Sequence, residues 1–407
     1  MSISADYDVV VAGAGIAGSA LALGLTFRGL KVMLVEPAAR APGLPDPVTR
    51  AADIDLRVSA LSPATVRLLA ELGVWERIPA EARGEYNAMR VWDAVGSGEV
   101  NFRAAEIGQS VLGTIVENRW LVAVLLQMFI RQPGAEFASS AVVKYAEPDA
   151  VGSRVSVQVS GEQDIWHQAK LLIGADGARS NVRELAGITT RQRDCGQKAL
   201  VATVRHTKSH QNTAWQRFMP EGPLAFLPLG YLDGEHTCSI VWSADTERAD
   251  SLCALDDSQF ADELAAAIEF RVGDIEWVSP RAAFPLRQLH ADRYAGVAIA
   301  IVADAAHVIH PLAGQGINLG LTDVAVLLEE IDRAQARGLP IGSMAVLGRY
   351  QRRRRGQNAL MAASMEGFQR LFADKSALVR VARSIGMRGV DRLEPLKKRF
   401  MEEAMGL

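Results

Sequence analysis

The sequence predicts an α/β fold in which a parallel sheet is interrupted by an antiparallel one and followed by a helical C-terminal region. Three observations carry this. Residues 7–36, YDVVVAGAGIAGSALALGLTFRGLKVMLVE, read as a strand, a glycine turn, a helix and a second strand. Residues 171–183, LLIGADGARSNVR, and residues 297–304, VAIAIVAD, each read as an apolar strand ending on an acidic turn, and the latter leads into the helical pattern INLGLTDVAVLLEEI. Between these two, KALVATVRH, TAWQRFMPEGPLAFLPLG and EHTCSIVWSA carry strand-rich patterning broken by turns, as an antiparallel sheet would.

The elements divide the chain into a discontinuous first domain (1–85, 104–183 and 284–344), a second domain (86–103 and 184–283) and a terminal helical region (345–407). Residues 86–103, YNAMRVWDAVGSGEVNFR, read as a hairpin that joins the second sheet. A chain of 407 residues is long enough for two cores. Net charge −3 gives no case for nucleic-acid binding. Cys195, Cys238 and Cys253 lie far apart, show no metal-ligand spacing, and read as free thiols in a reducing compartment. The start MSISADYDVVVAG lacks a signal-peptide pattern, and no apolar run approaches bilayer-spanning length, so a cytoplasmic protein is expected.

In the first unit, Gly13 permits a tight turn, Gly15 lets a pyrophosphate approach the backbone, and Gly18 allows the helix to pack on the strand. Glu36, ending the second strand, suits the two hydroxyls of an adenine ribose and would repel a 2′-phosphate, which leaves FAD or NAD. The second unit offers Asp176 and Gly177, with Arg179 and Arg183 at the start of a short helix; a plain strand-turn-helix is its alternative. The third offers Asp304 and then HPLAGQGINLGLTD, where Pro311, Gly314, Gly316 and Asn318 open a helix whose free N–H groups face whatever lies above the sheet. Three such turns spread over about 300 residues suggest one long ligand, and FAD has the length.

Together the three motifs resemble the single-component flavin-dependent aromatic hydroxylases related to p-hydroxybenzoate hydroxylase. HPLAGQGINLGLTD, with DLRVSALSPATVRLLAELGVWERI, LGTIVENRWL, ALVATVRH, GPLAFLPLG and CSIVWS, is similar to the ubiquinone-biosynthesis members, which oxidise a phenol ring bearing an isoprenoid tail. The resemblance implies a Rossmann-type FAD-binding domain under an antiparallel substrate domain. It implies that Gly13, Gly15, Gly18 and Glu36 hold the ADP half of FAD, that Asp176 and Gly177 lie at the pyrophosphates, and that Asp304 binds the ribityl chain. It places Pro311, Gly314, Gly316 and Asn318 at the flavin ring, with Asn318 at its pyrimidine edge, and Arg57 and Arg119 against the cofactor; surface ion pairing is the alternative for both arginines. One departure stands out: the third motif usually reads Gly-Asp-Ala-Ala-His, and here Ala303 precedes Asp304.

The implied reaction is monooxygenation of a polyprenylphenol ring with NAD(P)H and O2, through a flavin C4a-hydroperoxide that the protein must keep from water. No catalytic acid or base stands out; His307 and His310 read as structural hydrogen bonders. Phe226, Leu227 and Pro228 are candidates for the wall of an apolar substrate pocket, or for core packing. After residue 340 the chain has 14 Lys and Arg against 6 Asp and Glu, including Arg352, Arg353, Arg354 and Arg355 in succession, which suits an anionic membrane surface, an acidic partner from the same pathway, another subunit or a solvated face. Peripheral attachment at the inner face of the membrane is therefore expected. A flavin dehydrogenase acting on another prenyl lipid, and a scaffold whose flavin site has decayed, stay open as alternatives.

Overall fold

The computed structural model describes residues 6–149, 152–160, 162–230, 236–309, 316–374 and 376–406. The candidates His310, Pro311 and Gly314 lie outside the described residues.

The strand Tyr7–Ala12 sits at the centre of a parallel sheet because its residues are apolar on both faces and Val9, Val10 and Val11 are wholly buried. It pairs with Val32–Glu36 on one side and Ile165–Gly174 on the other, with Val9 opposite both Val32 and Leu171. Ala135–Ser139 extends one side and Ile299–Ile301 the other, all parallel. Parallel alignment brings the C-terminal ends of these strands to one edge. There the chain places Gly13, Glu36, Asp176 and Asp304, so motifs remote in sequence share the carboxyl edge of a single sheet, where α/β folds bind ligands.

A second, largely antiparallel sheet is built around the long strand Thr190–His206, which pairs with Thr237–Asp245 and Ala282–Ala291. The hairpin of Ala88–Asp93 and Glu99–Arg103 joins it through a parallel pairing with Thr213–Met219. Alternation sorts the residues of this sheet. Leu200, Trp215, Leu224, Phe226, Ile240 and Trp242 point into its own core, against two helices, Thr246–Ala254 and Asp257–Ala267, that the strand-rich sequence pattern did not suggest. Asp256 caps the latter helix, accepting from the Gln259 amide at 2.8 Å. The alternate residues Ala199, Val201, Ala214, Ala225 and Val241 are small and line a cavity shared with Val58, Ser59, Ala60 and Ile317.

Val58–Leu61, Gly113–Glu117 and Gly84–Tyr86 form a short third sheet. The chain ends in four helices, Gly316–Ala336, Met344–Ala373, Ala377–Arg392 and Glu394–Met405. Among the described residues no helix is long and apolar enough to cross a membrane.

Candidate active site

The first turn is shaped by what backbone can pass. Gly13 has φ +99°, and a Cβ there would stand 2.4 Å from the carbonyl oxygen of Ala175. A Cβ on Gly18 would lie 1.9 Å from the Gly13 carbonyl oxygen, so both glycines are demanded by the protein's own packing. Gly15 differs: a Cβ there would meet nothing within 4 Å. Its lack of a side chain leaves space at the start of the Ile16–Thr26 helix, as a bound pyrophosphate requires. Glu36 accepts from the Ala14 amide at 2.7 Å and the Ala38 amide at 3.1 Å, which fixes its carboxylate beside the turn with lone pairs remaining for ribose hydroxyls. Arg40, which sequence reasoning missed, donates to the Ala14 carbonyl at 2.6 Å from across the same turn.

At the second turn the Asp176 carboxylate serves the chain itself. It accepts from Ser180 Oγ at 2.5 Å and from the amides of Asn181 and Val182 at 2.7 and 3.1 Å, capping the helix Asn181–Leu185. Gly177 takes φ +80°, a conformation that glycine adopts without strain. Arg183 is buried and donates to Ala178 O at 2.9 Å and to Ala305 O at 3.1 Å, tying the second turn to the third.

The third turn rests on a buried ionic network. Asp323, inside the Gly316–Ala336 helix, accepts from the Ala303 amide at 3.0 Å, sits 2.6 Å from His307 Nε2, and accepts from Arg354 Nε at 2.6 Å. Burial alone would raise the Asp323 carboxyl, but His307 and Arg354 outweigh it and hold it below the ordinary range. Ala303 itself has φ +54°, the left-handed region where the usual glycine would sit without strain. The following residue, Asp304, is exposed at the surface yet crowded by the protein around it; this desolvation raises its carboxyl, offset in part by His307 and by Arg57. Arg57, itself exposed, lies near enough to act on the charge of Asp304.

Two residues expected at the cofactor also make contacts within the protein. The Asn318 amide accepts from the Ser62 amide at 2.9 Å and Thr65 Oγ1 at 2.8 Å, and donates to Ala60 O at 2.9 Å. It therefore stitches the third-motif helix to the 60–65 segment while lining the cleft. Arg119 pairs with the buried Glu117 at 2.8 Å and donates to Asp53 O at 3.0 Å.

Above the third-motif helix lies a cavity of about 400 Å³, a volume usual for small-molecule sites of ~300–1,000 Å³. Its lower side is Val58–Ala60 with Gly316, Ile317 and Asn318; its upper side is the small-residue face of the second sheet. Leu227 lines it, whereas Phe226 and Pro228 do not. The reason is the two-residue period of a strand: Phe226 is wholly buried in the second core, and Pro228 packs its carbonyl against Gly84. Tyr86 also lines the cavity; burial pushes its phenol up to about 12, and its hydroxyl has no hydrogen-bond partner among the described residues. Gln216 and Ser243 are its other polar walls on the sheet side. No local motif marks Tyr86, Gln216 or Ser243 in the sequence.

Residues 6–361 match the family described as FAD binding domain. The chain belongs to this family. The open cradle at Gly15, the acid of Glu36 and the exposed Asp304 at the same sheet edge fit FAD, so this chain is a flavoprotein. It is 38% identical over 399 residues to ubiquinone hydroxylase UbiL of Rhodospirillum rubrum, covering 98% of this chain and 89% of that protein. It is 35% identical over 404 residues to 3-demethoxyubiquinol 3-hydroxylase of Escherichia coli, covering 98% of both. The crystal structure of pqsL from Pseudomonas aeruginosa, described as a probable FAD-dependent monooxygenase, superposes with TM-score 0.75 over 94% of this chain and 99% of that one at 22% identity, a likeness of fold.

Proposed function

We propose that this flavoprotein hydroxylates the aromatic ring of a polyprenylated phenol or quinol in ubiquinone biosynthesis, consuming NAD(P)H and O2. The observation that carries the reading is the cavity enclosed between the third-motif helix and the small-residue face of the second sheet, in a chain 38% and 35% identical to proteins named for ubiquinone-pathway hydroxylation. Bound FAD, reduced by a nicotinamide, supplies the activated oxygen. The protein's part is to hold and enclose. Gly13, Gly15, Gly18 and Glu36 receive the adenosine and pyrophosphate half, with Asp176 and Gly177 shaping the adjoining turn; Asp304, with Arg57 beside it, receives the ribityl chain; Gly316 and Ile317 present helix N-terminal backbone to the flavin.

Ala199, Val201, Ala214 and Ala225 leave room for a flat ring, and Leu227, Met89 and Phe102 exclude water from it. Tyr86 stays protonated at neutral pH and so can donate a hydrogen bond to a ring oxygen, fixing which carbon meets the cofactor. A polyprenyl tail remains in the bilayer, at about 0.8 kcal/mol per buried CH2, so the reaction belongs at the inner face of the membrane, with an anionic lipid surface or another pathway protein delivering the ring.

The test is a coupled assay with FAD-loaded protein, NADH or NADPH, and a short-tailed prenylphenol. Oxygen uptake matched by a product heavier by one oxygen atom is expected. A dehydrogenase would oxidise the substrate without adding oxygen, and a scaffold would do neither.

A further inference from the structure

The Ala377–Arg392 helix is amphipathic in the reverse of the usual sense. Leu378, Val381 and Ile385, spaced to share one face, are 83%, 57% and 66% exposed. Its buried side carries a charge instead: Arg383 pairs with Asp93 at 2.7 Å and donates to Leu371 O at 2.8 Å. The next helix, Glu394–Met405, also turns an ion pair inward, burying Lys397 against Glu106 at 3.0 Å beside Met401 and Met405, while Leu396 and Phe400 stay exposed. Each helix is thus pinned by an inward ion pair that fixes its apolar stripe outward. An apolar surface held in this way marks an interaction site rather than a packing accident.

Two features identify the occupant. Arg380, Arg392 and Arg399 are exposed on these two helices, the combination of basic and apolar side chains that anionic lipid attracts. Phe400 belongs both to the exposed stripe and to the wall of the cavity, together with Met401 and Met405, so the apolar surface continues into the site. We propose that this face rests on an anionic bilayer, with Leu378, Val381 and Ile385 among the lipid headgroups and Phe400 at the passage by which a prenylated ring enters. The proposal rests on the prenylated substrate inferred above, and it replaces Arg352–Arg355 as the docking element. Arg354 is buried against Asp323, and Arg353 is paired with Glu329 at 2.7 Å and Glu330 at 3.0 Å.

The test is sedimentation of the full-length, FAD-loaded protein with vesicles of phosphatidylcholine and phosphatidylglycerol. The parent should sediment with them, more weakly with phosphatidylcholine alone or in high salt. The double variant Leu378→Asp/Ile385→Asp should bind about tenfold or more weakly, while keeping its flavin and its turnover of a water-soluble phenol. Sedimentation of the variant equal to the parent's would overturn the proposal. So would a parent that ignores vesicles but forms a dimer that the variant dissociates, since a second copy would then cover the face. Vesicle binding does not depend on turnover: a parent that docks yet hydroxylates no prenylated phenol supports docking and refutes the substrate.

Discussion

The backbone amide of Ala303 donates to the buried carboxylate of Asp323 at 3.0 Å, and this bond holds a β-carbon-bearing residue at φ +54°. A methyl group in that region costs of order 1 kcal/mol relative to glycine. The site is also tight, because a Cβ on Gly320 would come within 2.8 Å of the Ala303 Cβ. Ala303→Gly is therefore expected to raise stability by about 1 kcal/mol in denaturant unfolding. Gly320→Ala should be destabilising alone and largely rescued when combined with Ala303→Gly; additive effects of the two would contradict a shared clash.

Asp304 should show a trade between stability and ligand affinity. Its native carboxyl is raised by desolvation, so the folded state holds the proton more tightly than the unfolded chain does. Stability from this group then falls as pH rises from the unfolded value, about 3.9, through the raised native one, and at neutral pH the ionised side chain is unfavourable in the empty protein. Asp304→Asn is expected to raise the melting temperature of the apoprotein at pH 7 while weakening FAD by about 1.5–3 kcal/mol, the range for a hydrogen bond to a charged group. Thermal unfolding with and without FAD checks both halves.

The sign reverses at Asp323, whose carboxyl is lowered by His307 and Arg354 against its own burial. Its contribution is present above the unfolded carboxylate value and is lost as pH falls through the lower native one. Arg354→Ala leaves that charge without its 2.6 Å partner and should destabilise by about 3–5 kcal/mol, whereas Arg352→Ala and Arg355→Ala, at exposed positions, should be nearly silent. Equal effects at all three would rule out the distinction. His307→Ala should likewise lower stability, and weaken FAD chiefly by loosening the turn that carries Asp304.

Tyr86→Phe removes the cavity's unpaired phenol without altering the cofactor turns. The expected result is a KM for the phenolic substrate up to about tenfold higher, or product at a second ring carbon, with FAD affinity unchanged. Loss of FAD with the hydroxyl would show that Tyr86 supports the fold or the flavin instead.

Tyr7–Ala12, Val32–Glu36, the end of Ile165–Gly174 and Ile299–Ile301 were legible because each carries a short apolar run leading to a glycine or an acid, a local signal; Ala135–Ser139, with Glu136 inside it and Ser139 at its end, carries no such signal. The helix pair at 246–267 was not legible either, since its buried residues, Leu252, Phe260 and Leu264 among them, acquire their face only by packing beneath the second sheet. The same limit acted on the site. Phe226 and Leu227 look alike in sequence, and only the register of their strand sends one to the core and the other to the cavity. Four successive arginines read as one basic patch, yet a helical turn separates them by 100° per residue, so Arg354 meets Asp323 inside while Arg352 and Arg355 face out. Tyr86 escaped notice because nothing near it in the chain announces a cavity that strands more than a hundred residues away complete.

Gly15 separates what the fold needs from what FAD needs. Gly13→Ala and Gly18→Ala would drive a methyl into backbone at 2.4 and 1.9 Å, so both should destabilise the empty protein as well as the complex. At Gly15 a methyl meets no protein atom within 4 Å, and the backbone there is extended toward φ −72°, which any residue adopts. Gly15→Ala should therefore leave the apoprotein's unfolding unchanged within about 0.5 kcal/mol, while the methyl takes the space through which a pyrophosphate reaches the helix N-terminus. FAD titration should show affinity lower by at least tenfold. A Gly15→Ala protein that binds FAD as the parent does would place the pyrophosphate elsewhere and remove the main structural ground for assigning this turn to the cofactor.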